Sequence, residues 1–520
     1  MLSVVPFIIF LTLHTSSAQD NVIETTSGPI RGQGSGFVNR GDITEYLGIP
    51  YAEPPTGDNR FRGPVPVRPW NRTLDAFEFG SACLQNDLEL STSLVGAQTT
   101  DTAFSGIVTS EEDCLYLNIY QPAGTDMTST TMSTSQDNVT PQSNVTSQPN
   151  VTSQPNVTSE TKAVMVFFHG GDFVSGSGMA YSGSVLASEH DVIVVTVNYR
   201  LGALGFLSNG SDSLPSNFGL MDQQMALKWI NENIMFFDGD PERITIFGSG
   251  SGGSSVHLHT IIESSRSLFS RAVVQSATYN DAVWDRLSAK ENYDAFLATL
   301  GIYAMNDVMS YLRNDATAEE ILAASEEIGV WQPVISNLIP VQPREAMKSE
   351  TVNQDRYIDM VVGSNNLDGS QIASSAVDVD SETWYYDVVR DVTSRTSEFN
   401  DWDESDVGKR MKMFKLFYGG FYGDFNASLP RLQNALSTVI YSDQLYETWA
   451  QEIAMTQPAR SIYKYSFRVS GGGSRMGAAN GEELPYLFGF SSSADETLSN
   501  EMMTMWSEFA KSGFVEDLRQ

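Results

Sequence analysis

Arg243-Ile244-Thr245-Ile246-Phe247-Gly248-Ser249-Gly250-Ser251-Gly252-Gly253 is the stretch that decides the fold. Its first half is a β-branched and aromatic run, as expected of a strand buried on both faces. The strand leads straight into a Gly/Ser turn, and residues 264–269 bring the chain back to a second apolar run, Ala272-Val273-Val274. Upstream, Val192-Ile193-Val194-Val195-Thr196-Val197 is another continuous run of strand formers. Between the two, the spacing of Met221, Met225, Trp229 and Ile230 predicts a helix over Met221 to Asn233. This strand–turn–helix–strand order predicts an α/β protein with a doubly wound, mostly parallel sheet and helices on both faces.

The alternation is interrupted once. Residues 125–161 contain Asn-Val-Thr-Ser-Gln-Pro twice in succession, from Asn144 and Asn150, with degenerate copies from Asn138 and Asn156. The segment has almost no large apolar side chains, so burial cannot repay its ordering entropy. It reads as a disordered insert in one domain, because the runs at either side, Leu115 to Tyr120 and Ala163 to Phe168, look like neighbouring strands of one sheet. Each copy carries an N-glycosylation sequon, at Asn138, Asn144, Asn150 and Asn156, and further sequons stand at Asn71, Asn209 and Asn426. Simple repeat expansion would give the same register. The Ser/Thr density also allows O-glycans.

Residues 1–18 read as a signal peptide: Val4 to Leu13 is nearly all apolar, and Ser16-Ser17-Ala18 supplies small residues at the cleavage position. The run is too short to span a bilayer, and no later segment is long and apolar enough to do so. A secreted, extracellular protein is expected, with one domain over 19–520. The chain of 520 residues is 41% hydrophobic, enough for a sizeable core, and carries a formal net charge of -33. Such a surface repels nucleic acid and anionic lipid, and it could attract Ca²⁺ or basic partners; simple solubility is the favoured explanation. The only cysteines are Cys83 and Cys114. In an oxidising compartment such a pair bridges, and closing a loop of about 30 residues contributes roughly 3–4 kcal/mol. Two free buried thiols are the alternative. No cofactor is implied.

Several ordered motifs identify a family. Glu112-Asp113-Cys114-Leu115-Tyr116-Leu117-Asn118-Ile119, Asn198-Tyr199-Arg200-Leu201-Gly202 and Gly219-Leu220-Met221-Asp222-Gln223 resemble hallmarks of the type-B carboxylesterases and cholinesterases. So do Gly48-Ile49-Pro50-Tyr51-Ala52, Arg60-Phe61-Arg62, Asp240-Pro241 and Leu484-Pro485-Tyr486-Leu487-Phe488-Gly489. The resemblance covers about residues 22–515 apart from the insert. It implies the α/β-hydrolase fold, and a Cys83–Cys114 bridge matching the family's first disulfide; the family's other two disulfides have no cysteines here.

Active members of such a family place a Ser nucleophile in a Gly-x-Ser-x-Gly turn. The register set by Phe247, Gly248, Gly252 and Gly253 puts Gly250 at that position, and glycine has no side chain to attack a carbonyl. A reading slipped by one residue would make Ser251 the nucleophile. The family's His, just before Leu-Pro-Tyr, corresponds to Asn480, whose amide cannot shuttle a proton. The acid corresponds to Asp368, free to hydrogen-bond the Asn480 amide. The oxyanion motif survives as His169-Gly170-Gly171-Asp172-Phe173. It leaves Gly170, Gly171 and Ser251 as a remnant of the backbone donors, although two glycines there also suit tight packing. Of the five histidines, His14 falls in the leader, His169 belongs to that motif, and His190, His257 and His259 lie far from the base position.

The Phe-Gly-Ser-Gly elbow resembles that of the neuroligins, the catalytically silent adhesion members of the family. No transmembrane helix or cytoplasmic tail follows, and the chain stops soon after Met505-Trp506, where most relatives continue for another strand and helix; it is a shortened form or a fragment. Neuroligin partners, synaptic location and oligomeric state are therefore not carried over. No Trp lies between Cys83 and Cys114, where the family's choline-stacking ring normally sits, which disfavours cholinesterase activity. The leading expectation is a secreted, glycosylated, non-catalytic protein with an extracellular protein partner. The alternatives are a carboxylic ester hydrolase with a rearranged site and an acidic component of an extracellular matrix.

Overall fold

The computed structural model describes residues 22–36, 42–85, 110–122, 161–277, 283–303, 307–348, 357–370, 372–373, 384–396, 407–414, 430–456, 459–469, 477–489 and 495–515. Residues 1–18, read as a signal peptide, the repeat insert with Asn138, Asn144, Asn150 and Asn156, and Asn426 lie outside the described residues.

A nine-stranded sheet organises the chain. Its strands are β1 Gln33–Gly36, β2 Asp42–Pro50, β3 Tyr116–Pro122, β4 Lys162–Phe168, β5 Ile193–Val197, β6 Gly239–Ser249, β7 Arg271–Gln275, β8 Asp359–Asn365 and β9 Ile462–Phe467. Their order is β9-β8-β7-β6-β4-β5-β3-β2-β1. From β9 to β5 every neighbouring pair is parallel; β5–β3, β3–β2 and β2–β1 are antiparallel. The mostly parallel sheet agrees with the sequence reading, with one correction. The strands flanking the repeat insert share the sheet but are not neighbours: β5 lies between β3 and β4. Helix α1, Ser184–His190, carries the chain from β4 to β5, and that crossover sets β5 between them.

The two-residue period of the strands divides the core into two layers. Val164, Val166 and Phe168 of β4 join Ile193, Val195, Ile244, Ile246, Ala272 and Met360 on one face. Met165 and Phe167 join Val194, Phe247, Val273 and Val361 on the other. Helices α2, Phe218–Asn233, and α3, Ser251–Ile261, cover the first face through Phe218, Leu220, Leu227, Val256 and Leu258. Helix α1 and the late helix Glu496–Ser512 cover the second through Leu186, Met503, Trp506 and Phe509. Burial on both faces is why these strands are apolar without interruption.

Helix α2 begins three residues before the predicted Met221. Local capping does not set that start. Asn217 holds it from a left-handed φ of 64°, with its side-chain oxygen accepting from Val334 N at 2.7 Å and its amide donating to Val334 O at 2.8 Å. Of the predicted apolar face, Trp229 and Ile230 lie in the core with Phe218, Leu220, Ala226 and Leu227, while Met221 and Met225 pack at its edge.

Buried polar ties explain the motif residues. Arg200 makes a two-pronged pair with Asp222, at 2.7 and 2.6 Å, with both side chains almost fully buried. Arg60 pairs the same way with Glu112 at 2.6 Å for each prong, and also donates to the carbonyls of Leu312 and Ala316. Asn198 accepts from Gly178 N and Ser177 Oγ and donates to Ser81 O. Cys83 and Cys114 form a disulfide. Replacing both cysteines by serine is expected to lower the unfolding free energy by roughly 3–4 kcal/mol, the chain-entropy value for a loop of this length, measured by urea titration.

Candidate active-site elbow

Between β6 and α3 the chain turns through Gly250 at φ 60°, ψ -123°, a conformation that side-chain-bearing residues enter only under strain. Gly250 N donates to Gln275 O at 3.1 Å, and Gly250 O accepts from Ser254 N at 2.9 Å. A Cβ added here would meet one neighbour within 4 Å, Asn480 Oδ1 at 3.3 Å. The flanking glycines are different. A Cβ at Gly252 would lie 2.1 Å from Phe168 O, at Gly253 2.2 Å from Gln275 O, at Gly248 2.6 Å from Phe168 O, and at Gly170 2.7 Å from Ser249 O. Those four are required by backbone crowding, whereas Gly250 faces open space that points at an amide.

Asn480 is held there by a bridge between its own loop and the loop after β8. Leu367 N donates to Ala478 O at 2.9 Å, Ala478 N to Asn366 Oδ1 at 2.9 Å, and Asn365 Nδ2 to Ala479 O at 2.6 Å. Asp368 is on the same loop, fully buried, and accepts from Asn365 N through Oδ2 at 2.8 Å. The Asn480 amide and the Ser276 hydroxyl lie beside its carboxyl group and favour the charged form, yet Asp368 Oδ1 and Ser276 Oγ lack a well-formed hydrogen bond. The structure thus brings Gly250, Asn480 and Asp368 into one line.

A second buried carboxyl group completes the cluster. Glu483 Oε1 accepts from Ser249 Oγ at 2.6 Å and Gln275 Nε2 at 3.2 Å, and Oε2 accepts from Asn365 Nδ2. Burial pushes both carboxyl groups up: Asp368 well above the usual range, with the neighbouring charge of Glu483 adding to the effect, and Glu483 against the pull of its donors. Glu483, Ser249 and Asn365 were absent from the candidates read from sequence. The available signal was a second acidic residue, Glu483, directly before the apolar Leu484-Pro485-Tyr486.

The loop bearing the oxyanion motif is strained. Gly171 has φ 110°, and the non-glycine residues Asp172 and Phe173 follow at φ 54° and 62°. Each left-handed residue costs about 1–2 kcal/mol. The loop is held by Val174 N and Ser175 N donating to Gly171 O, and by Gly202 N donating to Phe173 O. Asp172 is exposed. Ser251 faces this loop: its Oγ accepts from Phe173 N at 3.3 Å. No histidine ring is hydrogen-bonded to Ser251 among the described residues. His169 donates from Nδ1 to Gly170 O at 2.8 Å and stacks on Tyr199, and burial lowers its pKa to about 4. His259 is locked between Ser265 Oγ and Gln223 Oε1, both at 2.9 Å, and burial lowers it to about 3. His257 sets its ring edge against Trp449.

Among the described residues no group of three or more His, Cys, Asp or Glu could hold a metal ion, and no helix is long and apolar enough to cross a membrane. Of the sequons inside the described residues, Asn71 is exposed and Asn209 half-buried.

A mostly parallel sheet with an elbow between its central strand and a buried helix is the architecture of the α/β-hydrolases. The carboxylesterase family model matches residues 19–518, and the chain belongs to that family. It is 31% identical to neuroligin-2 of Mus musculus over 95% of this chain and 60% of that protein. It is 30% identical to neuroligin-3 of Mus musculus, over 98% and 63%, and 28% identical to acetylcholinesterase 4 of Caenorhabditis briggsae, over 98% and 84%. The chain thus spans about three fifths of the length of the neuroligins it matches. Among solved structures it is similar to a thermophilic PNB esterase, with a TM-score of 0.72 at 25% identity over 96% of this chain and 93% of that one.

The buried carboxyl groups give a pH test. A carboxyl group whose pKa is raised on folding contributes stability that is fully present below its unfolded value, and this is lost as pH rises through the raised folded value. Asp368→Asn removes that ionisation while keeping an acceptor for Asn365 N. Melting temperatures followed upward from pH 4 should therefore fall less steeply in Asp368→Asn than in the parent. A steeper fall would show that the ionised carboxylate stabilises the fold.

Proposed function

We propose that this chain is a secreted, glycosylated member of the carboxylesterase family that binds an extracellular protein partner and does not hydrolyse esters. The observation carrying this reading is the elbow: Gly250 occupies the turn where an attacking oxygen would be needed, and the group it faces is the Asn480 amide. Loss of either a nucleophile or its histidine lowers turnover about 10⁶-fold in a serine hydrolase, so either substitution alone suffices. Asp368 keeps its place behind Asn480 but has no imidazole to orient. Similarity to the neuroligins supports adhesion or binding over chemistry. The Cys83–Cys114 bridge fits an oxidising compartment, and the leader at residues 1–18 fits secretion. Exposed Asn71 is the described sequon best placed to carry a glycan.

The purified mature protein should leave short-chain p-nitrophenyl esters at background and resist labelling by an organophosphonate. The double variant Gly250→Ser/Asn480→His, with Asp368 already in line, should gain both turnover and labelling. Turnover by the parent that disappears on Ser251→Ala would instead support a hydrolase with a rearranged site.

A further inference from the structure

On the far side of the oxyanion loop from Gly250, Asn480 and Asp368, none of which lines it, a cavity of about 270 Å³ opens between that loop, residues 201–204 and the helix Ala318–Ile328. Its walls are mainly apolar, built from Val174, Leu201, Leu204, Ile321 and Leu322, with Gln85, Ser175 and Ser325 as polar members and Glu326 at the rim. The volume is below the roughly 300–1,000 Å³ of sites for drug-sized ligands, and suits one bulky side chain.

The rim is electrostatically one-sided. The helix Ala318–Ile328 has the sequence AEEILAASEEI, with four glutamates and no basic residue. Glu326 and Glu327 are exposed in its last turn, where the helix dipole already concentrates negative charge and disfavours acids. The helix ends at Gly329 in a left-handed cap, and the cavity opens at that pole, lined by Ser325, Glu326 and Gly329. Val330, just beyond, is 54% exposed. Basic side chains on the neighbouring helix Arg286–Thr299 are engaged elsewhere, Arg286 with Asp212 and Lys290 with Asp294. Among the described residues no cation pairs with these two acids, which stand at the unfavourable end of a helix beside a mainly apolar cavity and weaken the isolated fold. They complement a cation flanking an apolar side chain.

We propose that this cavity is the docking socket for a basic segment of a partner protein, which inserts one leucine- or phenylalanine-sized side chain and lays a Lys or Arg across Glu326 and Glu327. The proposal rests on the reading that the chain binds rather than hydrolyses, and it names the chemistry of the partner.

The test uses the mature, disulfide-bonded chain and two labelled peptides, Lys-Arg-Leu-Arg-Lys and the same peptide with glycine for leucine, followed by fluorescence anisotropy at physiological salt. The leucine peptide should bind about tenfold more tightly than the glycine peptide, the worth of one buried apolar side chain. Leu322→Trp, which fills the cavity, should abolish that preference. Glu326→Gln/Glu327→Gln should weaken the leucine peptide while raising the melting temperature, which separates lost binding from lost folding. Equal binding of both peptides, or variants that bind like the parent, would reduce the attraction to the general charge of the surface and overturn the proposal. No binding of either peptide would overturn it as well. Ester turnover measured on the same preparation separates the two readings: turnover would end the non-catalytic reading, whereas its absence together with failed docking would end only the socket.

Discussion

The end of β4 and the start of α3 approach so closely that no Cβ fits between them. Phe168 O lies within 2.6 Å of where a Cβ would stand on Gly248 or Gly252, and Ser249 O crowds Gly170 in the same way. This backbone-to-backbone contact sets the pitch at which the buried helix leaves the sheet, and with it the position of the elbow. The oxyanion loop that follows runs through left-handed conformations at Asp172 and Phe173. The geometry is therefore a packing requirement first. It persists whether or not residue 250 carries a hydroxyl, which is why the survival of a hydrolase-like turn says little about hydrolysis.

What distinguishes the site chemically is how its charges are managed without an imidazole. Asp368 and Glu483 are both buried, burial disfavours the charged form of each, and the charge of Glu483 adds to the effect on Asp368. Asn365 holds the pair together, donating its N–H to Asp368 and its side-chain amide to Glu483. A histidine at position 480 could have carried a positive charge toward Asp368 during a reaction. An amide offers only a dipole, so the carboxyl group it faces gains little from being charged. The cluster is better described as a hydrogen-bonded support for the loop before Leu484 than as a relay for protons.

Much of the fold was legible because burial on both faces leaves a local trace. The runs at 192–197 and 243–247 contain few polar residues, and they became β5 and β6 at the centre of the sheet. The sharp turn after β6 was legible for a similar reason, since glycines crowded by neighbouring backbone stand on both sides of residue 250. Features set by distant partners were not legible. The start of α2 depends on Asn217 bonding to Val334, far along the chain. The placing of β5 between β3 and β4 depends on a crossover, not on either strand's composition. Glu483 reads locally as one more acid in an acidic protein; only the folded chain shows it between Ser249 and Asn365.

These features divide the molecule by what each part constrains. At the elbow, Glu483 has donors on both oxygens, and Asp368 accepts from Asn365 N through one of its two. At the C-terminal end of the helix Ala318–Ile328, exposed acids stand beside a mainly apolar cavity that none of the described residues fills. A fold is stabilised by removing such mismatches, and opposite charges or a filled cavity would have done so cheaply. The two regions thus differ in kind: the carboxyl cluster is closed in by the fold's own donors, whereas the end of the helix presents charge and apolar surface outward.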